Sequence, residues 1–181
     1  MPPLGDLFRS LFGGAPAAPV GSTSAQRVDR VAPWLYIGPA LSADGVAGLP
    51  ERGVTHVLDL REESSDDPDL MARLGLRWRR VPIADRAAPT DEQLEAIIDW
   101  LDAEADSDHD QAVYVHCHAG IGRTPTVAIA LLMQQQLSLA EARRLVFAAR
   151  PEVSPTESQM LWLETLAARL VAPKDDASPD A

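Results

Sequence analysis

The eleven residues from Val115 to Pro125 (VHCHAGIGRTP) narrow what this chain can fold into more than any other stretch. Just upstream, Ala112 to His116 (AVYVH) has the β-branched and aromatic character of a short central strand. Just downstream, Thr124 to Gln135 is apolar around its whole circumference, as expected of a helix buried on all sides. Only a tight, glycine-containing loop separates the two. A strand that passes through such a loop directly into a buried helix needs layers on both sides, which points to an α/β architecture.

The rest of the sequence supplies those layers. Trp34 to Ile37, Val54 to Leu60 and Leu76 to Ile83 read as further strands. Asp91 to Ala105 reads as a helix with Leu94, Ile97, Ile98 and Leu101 on its inner face and Thr90 as N-cap. Ser138 caps a helix to Ala149, and Pro155 and Thr156 open a last helix through Val171. Alternation of strands and helices at these lengths predicts an α/β sandwich: a central, largely parallel sheet flanked by helices.

Composition bounds the organisation. At 181 residues the chain fits one domain with tails. Residues 1–26 are expected to be a flexible N-terminal segment, 27–172 the folded domain, and 173–181 a disordered acidic tail. Within the first segment, Leu4, Leu7, Phe8, Leu11 and Phe12 share one helical face. Residues 4–12 can dock weakly on the domain, a partner or a membrane surface, although they lack the basic face that membrane helices favour. No charged n-region marks a secretory signal, and no apolar run approaches the roughly 18 residues of a membrane span, so the expectation is a cytoplasmic monomer. Fifteen arginines against one lysine, with abundant Ala and Pro, suggest a GC-rich bacterial genome.

A single cysteine, Cys117, excludes an internal disulfide framework and a four-cysteine zinc site. The net charge of −11 argues against nucleic acid as a partner. That charge is uneven. Nine acids and no lysine or arginine lie between Asp91 and Asp110, whereas Arg73, Arg77, Arg79, Arg80 and Arg86 cluster around Asp85. A local basic surface can therefore steer an anionic substrate despite the overall sign.

The loop itself carries the chemistry. Backbone amides of His118, Ala119, Gly120, Ile121 and Gly122 can turn inward as an anion nest, and the following helix points its N-terminus at the same spot. Arg123 closes this cradle with a planar fork matched to two phosphate oxygens. Cys117 lies at its base, where the same amides and helix dipole favour a thiolate, placed for in-line attack on phosphorus. The Thr124 hydroxyl can donate to the departing sulfur, and His116 is expected to orient the loop by hydrogen bonding. A metal is not expected, because the compact loop offers His118 and Cys117 no further ligands, and no cofactor is implied. Departure of an alkoxide or phenoxide requires a general acid. Asp85, just past the strand ending at Ile83, is one candidate; Asp59 and Asp66 are the others near a strand end.

The stretch HCHAGIGRT, His116 to Thr124, resembles the HCxxGxxR(S/T) signature of the cysteine-dependent protein tyrosine phosphatases. The small size and the Trp34-Leu-Tyr-Ile-Gly start resemble the atypical dual-specificity branch, and the likeness runs over roughly 31–166. The resemblance implies a phosphocysteine intermediate on Cys117, phosphate binding by Arg123, and a general acid about where Asp85 stands. The same aspartate, once ionised, would activate the hydrolytic water. Gln159 is similar to a glutamine that positions that water in some relatives, while Thr156 replaces an asparagine common in the branch and leaves support of the acid loop open.

Three readings compete. The first is a phosphatase acting on phosphotyrosine or phosphoserine/threonine of proteins, or on a small phosphomonoester. A phosphoinositide substrate is disfavoured because no lysine lies between Cys117 and Arg123, although the arginines near Asp85 keep it open. The second is a silent phosphate-binding module, against which stand a nucleophile, an arginine and a candidate acid in one chain. The third is a thiol redox or sulfur-transfer enzyme, which would have no use for Arg123, Thr124 and Asp85 together.

Overall fold

Period-two alternation in the strands splits the core into two layers. The computed structural model describes residues 26–104 and 111–171. Leu35 and Ile37, Leu58 and Leu60, and Val113 and Val115 face one apolar cluster, whereas Tyr36, Val57 and Tyr114 face a second on the opposite side of the sheet. The strands are β1 (Asp29–Ala32), β2 (Leu35–Gly38), β3 (His56–Arg61), β4 (Arg77–Ile83) and β5 (Val113–His116). Their order across the sheet is β1-β2-β5-β3-β4. Three of the four pairings are parallel; β1 alone is antiparallel, folded back on β2.

The helices are α1 (Ala43–Ala47), α2 (Pro68–Arg73), α3 (Asp91–Glu104), α4 (Arg123–Gln134), α5 (Leu139–Ala149) and α6 (Glu157–Val171). Residues from α3, α4, α5 and α6 fill the larger cluster; α1 and α2 cover the other face with Val46, Leu49 and Met71. Every residue of α4 from Arg123 to Met133 is buried, as its all-round apolar pattern predicts. Ser138 forms a reciprocal capping box with Glu141, and Thr90 and Gln93 exchange an equivalent pair of bonds at the start of α3.

The α/β sandwich with a largely parallel sheet is therefore the observed architecture. Several details differ from the sequence expectation. Strand β1 was not expected, because Asp29 and Arg30 break its apolar pattern; Asp29 is nonetheless buried and ion-paired. The second strand starts at Leu35 and the third at His56. Helices α1 and α2 are too short for apolar periodicity to reveal, and each is instead started by a side-chain cap, from Ser42 and Asp67. The amphipathic stretch 4–12, the end of the acidic run and the tail 173–181 lie outside the described residues.

The topology gathers four strand ends at one edge. Gly38, His116 and Asp59 sit side by side in register where β2, β5 and β3 end. The loops that leave these ends and that of β4 share one crevice, the usual ligand position in an open parallel sheet. Gly120 leaves no room for a side chain against the backbone of Gly38 and Pro39. Gly120 has φ 70°, and a Cβ at this position would collide with the Gly38 carbonyl. Gly120→Ala should therefore cost about 2–4 kcal/mol, from left-handed backbone strain plus overpacking against immobile main chain. Urea denaturation of the variant checks this.

Candidate active site

The loop between β5 and α4 has its five carbonyls from His118 to Gly122 pinned from outside. The His118 oxygen accepts from the Ala40 amide at 3.0 Å, and that of Ile121 from the Ser154 amide at 2.7 Å. The Gly122 oxygen accepts from the amide and hydroxyl of Thr126, at 3.2 and 2.9 Å. Arg150 takes the two between, donating from Nε to Gly120 O at 3.1 Å and from Nη2 to Ala119 O at 3.2 Å. Each peptide unit holds the N–H of the following residue opposite its C=O, so these five outward carbonyls turn the amides of Ala119 to Arg123 the other way, toward the pocket. Such an arrangement has the geometry of an anion nest, and the N-terminus of α4 beside it has no side-chain cap of its own.

Cys117 lies at the base of the nest. It is 3% exposed, and its Sγ accepts the Gly120 amide at 3.3 Å. His118, Ala119, Ile121, Gly122 and Arg123 join it in lining the pocket, with Glu63, Asp85, Arg86, Ser154 and Thr156 around the mouth. Of the five clustered arginines, Arg86 alone lines this pocket; Arg80 is spent on the carbonyls of Arg61 and Glu62.

Arg123 is buried and heavily engaged. Its Nη1 and Nη2 reach the two Glu63 oxygens, both at 2.8 Å, and Nη1 also donates to Ile83 O at 3.0 Å. Asp85 Oδ1 lies 3.3 Å from Nη2. The hydrogen bond from Arg123 holds the Glu63 carboxyl far below the usual range, at about 2. Glu63 raises the Arg123 pKa in turn. Two of the five guanidinium N–H groups thus go to Glu63, one to Ile83 and one toward Asp85. The Nε–Nη2 edge is the one that can accept a pocket anion, with Asp85 yielding its place on Nη2.

The three candidate acids separate. Asp85 projects at the pocket mouth with a side chain 74% exposed. Asp59 is fully buried and receives both Nε and Nη2 of Arg61 at 2.8 Å. Asp66 bonds Arg61 Nη2 at 2.6 Å and His116 Nε2 at 2.8 Å, so neither it nor Asp59 is available to a leaving group. Asp59, Asp66 and His116 bring their ligand atoms within 4.8 Å of one another, a spacing that would suit a metal. The Arg61 guanidinium already supplies the cation there, and neither His118 nor Cys117 belongs to the group.

Gln159 and Thr156 hold the acid loop. Gln159 is completely buried rather than solvent-facing: Oε1 accepts the Thr156 amide at 2.8 Å and Nε2 donates to Ala87 O at 2.8 Å. The Thr156 hydroxyl donates to Arg86 O at 3.0 Å, fixing the left-handed turn at Arg86, φ 64°. Thr156 thus supports the loop itself. Thr124 differs from expectation in this structure: its hydroxyl is buried and makes no hydrogen bond among the described residues, the sulfur included.

Sequence reasoning missed Glu63 and Arg150 altogether as site residues. Arg150 is 2% exposed and pairs with Asp29 Oδ2 at 2.8 Å, while Asp29 Oδ1 accepts from Arg27. The only signal was an arginine at the end of an otherwise apolar-faced helix. Arg150→Met should cost about 2–4 kcal/mol by leaving Asp29 short of a partner, and should weaken vanadate binding at least tenfold as two carbonyls are released. Arg150→Lys keeps the charge beside Asp29 but cannot span both carbonyls. It should largely restore stability in denaturant melts without restoring vanadate affinity.

The comparisons with known proteins agree with this geometry. A family model described as polymorphic toxin system, DSP-PTPase phosphatase, matches residues 35–136, more than half of the chain. No curated protein matches the sequence significantly. Among solved structures, Tk-PTP in its active form is 28% identical with a TM-score of 0.68, over 78% of this chain and 97% of its own. Human DUSP28 is 29% identical with a TM-score of 0.68, over 86% of this chain and 100% of its own. A mouse putative dual specificity phosphatase complexed with zinc tungstate is 25% identical with a TM-score of 0.66, over 85% of this chain and 93% of its own. With the signature, the sheet order and the pinned loop in agreement, the chain belongs to the DSP-PTPase phosphatases of polymorphic toxin systems, in the atypical dual-specificity branch of the cysteine-dependent protein tyrosine phosphatase superfamily.

Proposed function

We propose that this phosphatase hydrolyses phosphotyrosine and phosphoserine/threonine on proteins through a phosphocysteine intermediate on Cys117. The observation that carries the reading is the ring of amides set by the pinned carbonyls above a buried sulfur, with Arg123 lining the same pocket. Three phosphoryl oxygens sit among the amides of Ala119 to Arg123 and the Nε–Nη2 edge of the Arg123 side chain. The Cys117 thiolate attacks phosphorus in line, forming the S–P bond as the ester P–O bond breaks. Asp85, displaced from Arg123 by the incoming phosphate, gives its proton to the leaving oxygen. In the second step the Asp85 carboxylate takes a proton from water, which attacks phosphorus and releases inorganic phosphate and the thiolate.

The pocket mouth supports a protein substrate. Ile121, 40% exposed, offers an apolar surface to an aryl or alkyl ester group, and Arg86 beside the acid suits an acidic flanking residue. No lysine lines the loop to hold the extra phosphates of an inositol ring. Relative kcat/KM on phosphotyrosine peptide, phosphothreonine peptide, phosphoinositide and nucleotide tests this assignment: peptides should be the better substrates, and preference for phosphoinositide or nucleotide would overturn it. Cys117→Ser should abolish phosphate release; equal release by both proteins would remove Cys117 from the chemistry. Asp85→Asn should slow an alkyl phosphate by about 10²–10⁴-fold and nitrophenyl phosphate much less, since nitrophenolate leaves without a proton.

Thr124 has a role in the second step. A buried hydroxyl with no partner is costly to the resting fold and keeps its proton for the sulfur as negative charge returns to it. Thr124→Val should leave stability unchanged or raise it by about 1 kcal/mol. The same variant should accumulate phosphoenzyme, visible as a burst of nitrophenolate followed by a slower steady state.

A further inference from the structure

One charged group at the pocket mouth has no part in the two transfer steps. Among the carboxylates and guanidiniums that line the pocket, Glu63 and Asp85 are both joined to Arg123. Arg86 stands apart. It is exposed, and its side chain makes no hydrogen bond or ion pair among the described residues.

The backbone holds Arg86 in a strained conformation. Ala87 donates its amide to Ala84 O at 3.0 Å, closing a turn with Asp85 in second place and Arg86 in third. Arg86 has φ 64°, in the left-handed region. The third position of such a turn favours glycine or asparagine, because a Cβ there crowds the neighbouring carbonyl oxygen. This chain instead places a long cationic residue there and braces the turn from outside. The Thr156 hydroxyl donates to Arg86 O at 3.0 Å, and Gln159 Nε2 to Ala87 O at 2.8 Å. Glycine would make the same turn without strain. Strain kept at a binding mouth points to a use for the side chain, since the turn itself has none.

The chemistry of the side chain says what that use is. A guanidinium presents a planar fork that grips a carboxylate or phosphate through two hydrogens. The ester phosphate is taken by the loop amides and Arg123, which leaves Arg86 for a second anion. Asp85 serves the leaving oxygen in the proposed reaction, so its neighbour Arg86 stands where the rest of the substrate emerges from the pocket. We infer that Arg86 is a specificity-determining residue that binds a second anionic group, an acidic side chain or a second phosphate, beside the phosphorylated residue of a protein substrate. This deepens the protein-phosphatase reading and rests on it. Apart from the buried Arg123, the pocket lining has no other lysine or arginine, so the gain from a flanking anion belongs to one place on the rim.

The test is a set of phosphotyrosine peptides with alanine flanks, in which one glutamate or one phosphoserine is placed in turn at each nearby position on either side. The kcat/KM at tyrosine, followed by absorbance, is compared for wild type, Arg86→Ala, Arg86→Gly and Arg86→Lys. In wild type one position should gain about fivefold over the all-alanine peptide. The gain should vanish in Arg86→Ala and Arg86→Gly, while Arg86→Lys should keep part of it, having the charge without the fork. Only ratios to the all-alanine peptide are read, so a disturbed Asp85 that slows every peptide alike cancels. A gain with glutamate identifies a carboxylate partner and a gain with phosphoserine a phosphate; either supports the inference. No gain in wild type, or a gain that survives in Arg86→Gly, would overturn it. So would an equal gain at every position, the mark of long-range steering by charge. In urea, Arg86→Gly should unfold at a higher concentration than Arg86→Ala, since both lack the guanidinium and alanine alone keeps the left-handed strain; the reverse order would overturn the inference at its premise. Failure of the phosphoprotein reading would appear separately, as absence of turnover on every peptide. The same ratios are then taken from peptide affinities by fluorescence anisotropy, with the same outcomes deciding.

Discussion

Everything at the sheet edge depends on where five carbonyl oxygens point. A short loop in isolation would scatter its amides in all directions, because nothing in its own sequence favours one face. Here each carbonyl from His118 to Gly122 is claimed by a donor outside the loop. The donors come from four places: the link between β2 and α1, the first turn of α4, the end of α5 and the segment before α6. The nest is therefore a product of the assembled fold, built before any anion arrives. Preorganised dipoles of this kind stabilise charge without reorganising during the reaction, which is where they are most effective. Arg150 is the central pin. It holds two of the five carbonyls and is itself held by Asp29 on β1, so an edge strand with no catalytic residue bears on the geometry of the loop.

What the sequence disclosed, and what it hid, follows from the range of each interaction. The strand-loop-helix unit around Cys117 was legible because its determinants are local: apolar strand, glycine-containing turn, proline in the first helical turn. Most strands and the four longer helices followed from apolar periodicity and caps such as Ser138 and Thr90. Strand β1 was hidden because Asp29 is buried only through Arg150, 121 residues away, and Arg27. Glu63 was hidden in the polar run 61–67, where nothing marks one acid above its neighbours. Which carboxylate serves as acid was also beyond local reading. Asp59, Asp66 and Asp85 all lie near strand ends, and only the fold shows that Arg61 and His116 occupy the first two.

The loop after β3 organises the electrostatics of both sides of the nucleophile. Glu63 faces the pocket and Asp66 faces the interior, and each pairs with a side chain of or adjoining the signature loop, Arg123 and His116. In a chain with a net charge of −11, anion binding requires such local arrangement. The acids here do not merely cancel the cations. Glu63 takes the end of the Arg123 guanidinium, leaving the Nε–Nη2 edge toward the pocket. Asp66 lies behind His116, with the imidazole between it and the loop.

This arrangement bears on how an anion enters. Glu63 is held at about 2 and stays ionised at any pH where the enzyme would work. An incoming phosphate need not compete for the edge that Glu63 occupies; it needs only the Nη2 hydrogen now shared with Asp85, whose contact at 3.3 Å is long and solvent-exposed. Displacing that contact returns to solvent an Asp85 side chain that is already largely exposed. Filling the pocket therefore releases the group proposed as proton donor while leaving the arginine oriented. Arrival of the phosphate and readiness of the acid are linked through one guanidinium hydrogen, and this gives a buried arginine a use for two carboxylates, one bound at 2.8 Å through both oxygens and one at 3.3 Å through a single oxygen.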